Sequence, residues 1–206
     1  MLQGGMTAAE NNQMIMEIAA LAEKAMAGNR MSFQELVNIF QEDIYRLVYY
    51  RTYSRMDAED ITQEVFVQAY QKLKSLNDTQ KFRAWLYTIA VNRCNDFLRK
   101  RKYLTLLRIK TAREQKLMET GVEKGNSYDE ALAREKFWQK VRSLMDRLSA
   151  MEREVFTLRF MDHLNLGEIA TVLGKNESTV KTHLYRALDK IRKDSDLLEE
   201  YRGAIL

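Results

Sequence analysis

Apolar residues recur at three- and four-residue spacing through most of this chain, a periodicity that predicts amphipathic helices and gives no strand signal. With its stop signals, the pattern predicts helices at about 8–27, 33–53, 57–76, 82–102, 129–147, 150–161, 166–173 and 177–193. Ser32 with Glu35, and Ser149 with Glu152, have the Ser-x-x-Glu spacing in which each side chain satisfies the other residue's backbone amide, and they mark two helix starts. Gly28 and Gly174 read as stops or turns. Between Lys102 and about Tyr128 the pattern degrades into a polar stretch with Gly121, Gly125, Asn126 and Ser127, which places a domain boundary there. Its composition also permits a continuous helix through Arg108 to Glu119.

Composition strengthens the helical reading. The 206 residues contain no proline, where average use is about 5%, and are rich in strong helix formers. A hydrophobic content of 46% is enough for one medium core or two small ones. The expected fold is therefore all-α: two small helical domains joined by a flexible linker, the C-terminal one a helix-turn-helix. The expected boundaries are 1–102, a linker at 103–128, and 129–206.

Charge and cysteine use narrow the chemistry. The formal charge of +4 is mild, but cations cluster at Arg99 to Lys102 and from Lys181 to Lys193, which favours a polyanion; a solvated face is the plainer reading of either run. Cys94 cannot form an internal disulfide, and with only His163 and His183 available no His/Cys zinc cluster is expected. A reducing cytoplasm is the natural compartment. No apolar run approaches the roughly 18 residues of a membrane span, and Met1 to Met6 lacks a signal core. No metal, cofactor or catalytic residue is predicted.

The helices resolve into faces. In the acidic helix, Ala58, Ile61, Val65, Ala69, Leu73 and Leu76 form a core stripe with Phe66 at its edge. Asp60, Gln63, Glu64, Val67 and Gln71 lie opposite, either as ordinary solvated surface or as a docking face whose carboxylates can pair with arginine. In the next helix Phe82, Leu86, Ile89, Ala90 and Phe97 form the buried stripe. Trp85, Thr88, Asn92 and Arg99 follow one flank, combining a stacking surface, hydrogen-bonding groups and a cation as single-stranded nucleic acid requires; for Trp85 taken alone, a core position is the plainer reading. Near the C-terminus Ile169, Ala170, Leu173, Gly174, Val180 and Leu184 match helix-turn-helix spacing, with a plain helical hairpin as the alternative. Val180, Leu184, Ala187, Leu188 and Ile191 face inward, leaving Ser178, Lys181, Thr182, Tyr185 and Arg186 outward as major-groove residue types. Lys190, Arg192 and Lys193 fit either phosphate contacts or complements to the helix C-terminus.

Three blocks now carry a resemblance: Asp57-Ala-Glu-Asp-Ile-Thr-Gln-Glu-Val-Phe66; Phe82-Arg-Ala-Trp-Leu-Tyr-Thr-Ile-Ala-Val-Asn-Arg93; and Glu168-Ile-Ala170 with Thr179-Val-Lys-Thr-His-Leu-Tyr-Arg-Ala187. In this order they resemble the signature blocks of bacterial RNA polymerase sigma factors of the extracytoplasmic-function (ECF) class, from about Met16 to Lys193. The resemblance implies a transcription initiation factor, not an enzyme, that binds core RNA polymerase, directs it to two-part promoters and stabilises their opening. It implies core binding by Asp60, Gln63 and Glu64. The loop Ser75 to Lys81, with Asn77, Asp78 and Lys81, aligns with the family's loop that captures a flipped base of the −10 element, and Asn92 with a position lining that pocket. Trp85, Thr88, Arg99 and Arg101 would then meet melted and duplex promoter DNA, while Ser178, Thr179, Lys181, Thr182, Tyr185 and Arg186 would read the −35 element. An anti-sigma factor covering both domains is a further implied partner, and association with the nucleoid is implied for the active state.

The family pattern is not matched everywhere. Leu148-Ser149 stands where Leu-Pro is usual, a change that capping by serine can absorb. His183 is unusual in the recognition helix, so base preference at the −35 element is not inherited. The extension before Met16 has no assigned role. A linker of about 26 residues reaches at most roughly 85 to 95 Å, enough for the about 70 Å of two DNA turns. Two other classes compete. Ser178-Thr-Val-Lys-Thr-His183 also resembles the recognition helix of LuxR-type response regulators, which leaves Asp57 to Lys102 unexplained. A metal nuclease using Asp57, Glu59 and Asp60 lacks a nearby histidine, lysine or phosphate-cradling loop.

Overall fold

In the computed structural model, which describes residues 8–111 and 145–193, every regular element is helical and no strand occurs among the described residues. The α-helices are α1 (Ala8–Met26), α2 (Arg30–Thr52), α3 (Arg55–Lys72), α4 (Phe82–Thr111), α5 (Ala150–Phe160), α6 (Leu166–Leu173) and α7 (Glu177–Arg192). Single 3-10 turns at Leu73–Ser75 and Thr79–Lys81 connect α3 to α4. Residues 145–147 are also helical; the rest of the helix expected at 129–147 and most of the expected linker lie outside the described residues. Contacts divide the chain into two units, Met1–Leu106 with Gly167–Lys175, and Leu107–Leu166 with Asn176–Leu206.

In the first unit, α1 turns Ile18, Ala19, Ala22 and Ala25 inward. Three alanines in that face let neighbouring backbone come close, and α1 packs against both α2 and the Thr79–Lys81 turn. Gly28, at φ 98°, closes α1, with its N–H bonded to the Ala25 carbonyl at 2.9 Å. The start of α2 differs from the expectation. Asn29 is the cap, accepting from the Ser32 N–H at 3.2 Å, and Ser32 is a buried residue of the first turn. The Ser32–Glu35 spacing therefore does not mark the boundary: an asparagine directly after the left-handed glycine caps the helix three residues earlier.

Between α2 and α3 the chain turns through Tyr53, a non-glycine residue at φ 53° whose N–H bonds the Tyr49 carbonyl at 2.8 Å. Ser54 then caps α3 by accepting from Asp57 N–H. The predicted α3 stripe is buried throughout, from Ala58 to Leu76, with Phe66 at its margin. α3 packs against α2, whose Leu36, Phe40, Ile44 and Leu47 are buried, and Phe82 at the head of α4 has its ring 5.7 Å from Phe40. Phe82, Leu86, Ile89 and Ala90 are buried as expected, Phe97 is half-buried, and Tyr87, Val91 and Cys94 complete the face. α4 runs on to Thr111, nine residues past the expected end at Lys102. No glycine or proline interrupts 82–111, and the cations at Arg99 to Lys102 do not end the helix.

In the second unit α5 packs on α7, with Val155 and Leu158 buried on one side and Val180, Leu184 and Ala187 on the other. Ser149 and Glu152 form the predicted reciprocal capping box, with the Ser149 N–H 2.9 Å from the Glu152 carboxylate. Glu152 is buried and also receives Lys190 Nζ at 2.6 Å. The Lys190 hydrogen bond first, and then that from the Ser149 backbone, hold the Glu152 carboxyl below its ordinary range against the opposing effect of burial. Lys190 is thus engaged inside the unit. Asn176 caps α7 by accepting from Thr179 N–H at 2.8 Å, while Gly174, which follows α6 in the segment grouped with the first unit, takes φ 60°. No atom stands within 4 Å of the Cβ position at Gly174, so its requirement is conformational.

Candidate nucleic-acid interface

Every residue of the predicted docking face on α3, Asp60, Gln63, Glu64, Val67 and Gln71, is exposed, and Val67 retains 57% of its surface. Beside it Met56 is 70% exposed, which adds apolar surface to the acidic face. The carboxylates do not all stand alone. Glu64 Oε2 lies 2.9 Å from Arg93 Nη2, and Asp57 Oδ2 lies 3.9 Å from Arg101 Nη1. Seven residues separate the acids and eight separate the arginines, so the two pairs form rungs about two helical turns apart between helices of opposite direction. Arg93 was not among the predicted site residues. Its signal, a cation two turns before Arg101 matching acids two turns apart, becomes readable only once α3 and α4 are known to be neighbours.

The residues expected to handle the −10 element fall into three groups. In the connecting loop Asn77 is exposed, whereas Asp78 accepts from Gln80 N–H at 3.0 Å and lies 3.1 Å from Lys81 Nζ. Asp78 and Lys81 therefore shape the loop as well as charging it. On the α4 flank Trp85 is half-buried, its ring 5.7 Å from Phe82, so it is part core and part surface. Thr88 donates its hydroxyl to the Ala84 carbonyl at 2.8 Å, while Asn92 is exposed. Further along, Arg99 pairs with Asp96 at 2.8 Å, and Lys100 and Lys102 are exposed.

On α7 the hydroxyl residues are largely used locally. Ser178 donates to Asn176 Oδ1 at 2.9 Å, Thr182 donates to the Ser178 carbonyl at 2.9 Å, and Thr179 is half-buried at the cap. Lys181, Tyr185 and Arg186 remain as the long exposed side chains of the first turns, with Tyr185 69% exposed. Lys181 reaches Glu177 only at 4.0 Å. His183 is half-buried, and so less accessible than its neighbours Thr182 and Lys181. Among the described residues no cluster of three or more histidine, cysteine or acidic groups could hold a metal, and no helix is long and apolar enough to cross a membrane.

Residues 36–103 match the family model Sigma-70 region 2, and residues 138–191 match Sigma-70, region 4. The ECF RNA polymerase sigma factor SigW of Bacillus subtilis is 31% identical over 182 residues, covering 87% of this chain and 97% of SigW. The chain belongs to the ECF family of RNA polymerase sigma factors. A second relative, the ECF RNA polymerase sigma factor BldN of Streptomyces coelicolor, is 33% identical over 171 residues, 82% of this sigma factor and 62% of the length of BldN. The solved structure of CnrH in complex with the cytosolic domain of CnrY shares the fold, with a TM-score of 0.65 at 24% identity over 88% of this sigma factor and 98% of that chain.

Proposed function

We propose that this sigma factor binds core RNA polymerase through the acidic face of α3, reads and holds open the −10 element with the α3–α4 loop and the α4 flank, and reads the −35 element with α7. In this reading residues 1–102 serve polymerase binding and −10 recognition, 103–128 link the domains, and 129–206 carry −35 recognition. The observation that carries it is the pairing of unlike surfaces in one unit: exposed carboxylates on α3 next to a basic helix that presents a half-buried tryptophan and an exposed asparagine. A duplex-binding regulator has no use for the first surface. Opened DNA has use for the second, because an aromatic face replaces lost base stacking and an amide can meet an exposed base edge. The work is binding and strand separation, with no covalent step. The family's habit of control by an anti-sigma factor extends the proposal to such a partner, for which the same exposed faces are available.

Run-off transcription by purified core RNA polymerase on a promoter library, with and without this protein, tests the reading. Discrete new starts that share two upstream motifs about two helical turns apart are expected. Absence of stimulation, together with tight duplex binding by the protein alone, would overturn it in favour of a regulator. Within that assay Asn92→Ala and Trp85→Ala should slow promoter opening, measured by permanganate reactivity of unpaired thymines, about tenfold more than they weaken recruitment. An unchanged −10 base preference in Asn92→Ala would remove Asn92 from the pocket.

For α7, Lys181→Ala and Arg186→Ala separate two kinds of contact. A base contact is worth about 1–3 kcal/mol of discrimination at one position, whereas a phosphate contact weakens all sequences alike and lowers the salt slope by about one. Lys181, near Glu177, is expected to act as the phosphate contact, and Arg186, two exposed turns into the helix, as the base contact. Binding of holoenzyme to −35 variants across a salt series distinguishes them.

A further inference from the structure

The α3–α4 loop is held mostly by its own near neighbours: Leu76 N–H bonds the Leu73 carbonyl, Asp78 receives Gln80 N–H, and Lys81 lies on Asp78. Such local bonds define the shape of a loop but do not fix where it stands on the domain. One further bond crosses a long sequence distance. Thr79 donates its hydroxyl to Glu23 Oε1 at 3.2 Å, joining residues 56 positions apart. Glu23 is an exposed residue of α1, one position from the buried Ala22, and α1 is the helix against which the Thr79–Lys81 turn packs. The Thr79–Glu23 bond fixes where the turn stands around that helix.

We propose that α1 is the supporting wall of the loop that reads the −10 element and that Glu23 is a positioning residue for it, setting promoter specificity through Thr79 without touching DNA. The proposal rests on the function proposed above and assigns α1 a part in it. A base turned out of the DNA stack is discriminated by groups held in a fixed place, because a reading group that can shift to suit another base no longer penalises the wrong one. Loosening the Thr79–Glu23 contact should therefore flatten the base preference at the captured position while leaving polymerase binding and −35 reading intact.

The test is run-off transcription by the holoenzyme on a promoter pool randomised at the −10 element, with the full-length chain carrying Glu23→Ala, Glu23→Gln, Thr79→Val or the Glu23→Ala/Thr79→Val pair. An exposed hydrogen bond of this kind corresponds to a change of about two- to tenfold. Glu23→Ala and Thr79→Val should each lower discrimination at the captured base by that factor, and the double variant should lose no more than either single one. Glu23→Gln, whose amide oxygen still accepts from Thr79, should retain most of the preference. An unaltered −10 profile in Glu23→Ala, a uniform fall in initiation with the profile preserved, or additive losses in the double variant would each overturn the proposal. The function reading fails separately, if the unmodified protein directs no discrete starts at all.

Discussion

Asp60→Arg combined with Glu64→Arg should lower the affinity for core RNA polymerase by about a hundredfold or more, because an attractive charge pair is replaced at each position by like charges in contact, a change of several kcal/mol. Both side chains are exposed, and the Glu64–Arg93 ion pair, with 56% and 37% of the side chains accessible, contributes only about 0.2–1 kcal/mol to the fold. The variant should therefore melt within a few degrees of the unmodified protein. Fluorescence anisotropy of labelled protein against core polymerase reads the affinity, with thermal denaturation as the control. Glu64→Gln gives an intermediate loss, since the amide keeps one acceptor but no charge. Retention of full affinity by the double reversal would move the polymerase contact off this face of α3.

The second large effect concerns stability. Glu152→Ala should destabilise the C-terminal unit by about 2 kcal/mol, the worth of charge-assisted hydrogen bonds from Lys190 and from the Ser149 N–H, reduced because Lys190 is half accessible to water and can be solvated when released. Lys190→Met should cost a comparable amount, since it removes the strongest partner of the buried carboxylate and, among the described residues, its only cation. The effect depends on pH with a definite sign. The folded-state pKa of Glu152 lies below the ordinary glutamate value, so the ionised form is favoured in the folded state. Its stabilisation is present in full above the ordinary glutamate value and is lost as pH falls through the lower, folded-state value. Urea denaturation at neutral pH should separate the unmodified protein from Glu152→Gln, and the two curves should converge on acidification. A gap that stayed constant down to strong acid would assign the stabilisation to packing instead of charge.

What could be read from sequence follows the range of the interactions. The Ser149–Glu152 box lies within four residues, and the α3 stripe follows from the pitch of one helix; both appear in the structure as expected. At the start of α2 the Ser32–Glu35 spacing pointed to a boundary three residues too late, because the cap formed by Asn29 carries no partner glutamate three residues on and so lacks the reciprocal pattern. The end expected for α4 at Lys102 followed the loss of apolar periodicity there, but with no glycine or proline before Thr111 the backbone continues as helix, and acids such as Asp57 and Asp96 lie close to its cations. Lys190 shows the same limit. Its two sequence readings were a phosphate contact and a complement to the C-terminus of its own helix, and the carboxylate that engages it comes from a residue 38 positions earlier. In the proposed site the exposed faces were legible from spacing, while Arg93, Glu23 and Thr79 acquire meaning only from helix neighbours distant in sequence.

The rungs between α3 and α4 also bear on how the free chain behaves among nucleic acids. A cation held beside a carboxylate displaces fewer counterions from a polyanion than one that is unopposed, and each lost displacement flattens the dependence of binding on salt. With Arg93 against Glu64 and Arg101 near Asp57, α4 would present to DNA a smaller effective valence than its count of arginines and lysines suggests. Random genomic sequence is then a weaker competitor for the unassembled factor, and more of it stays available to diffuse to its polymerase.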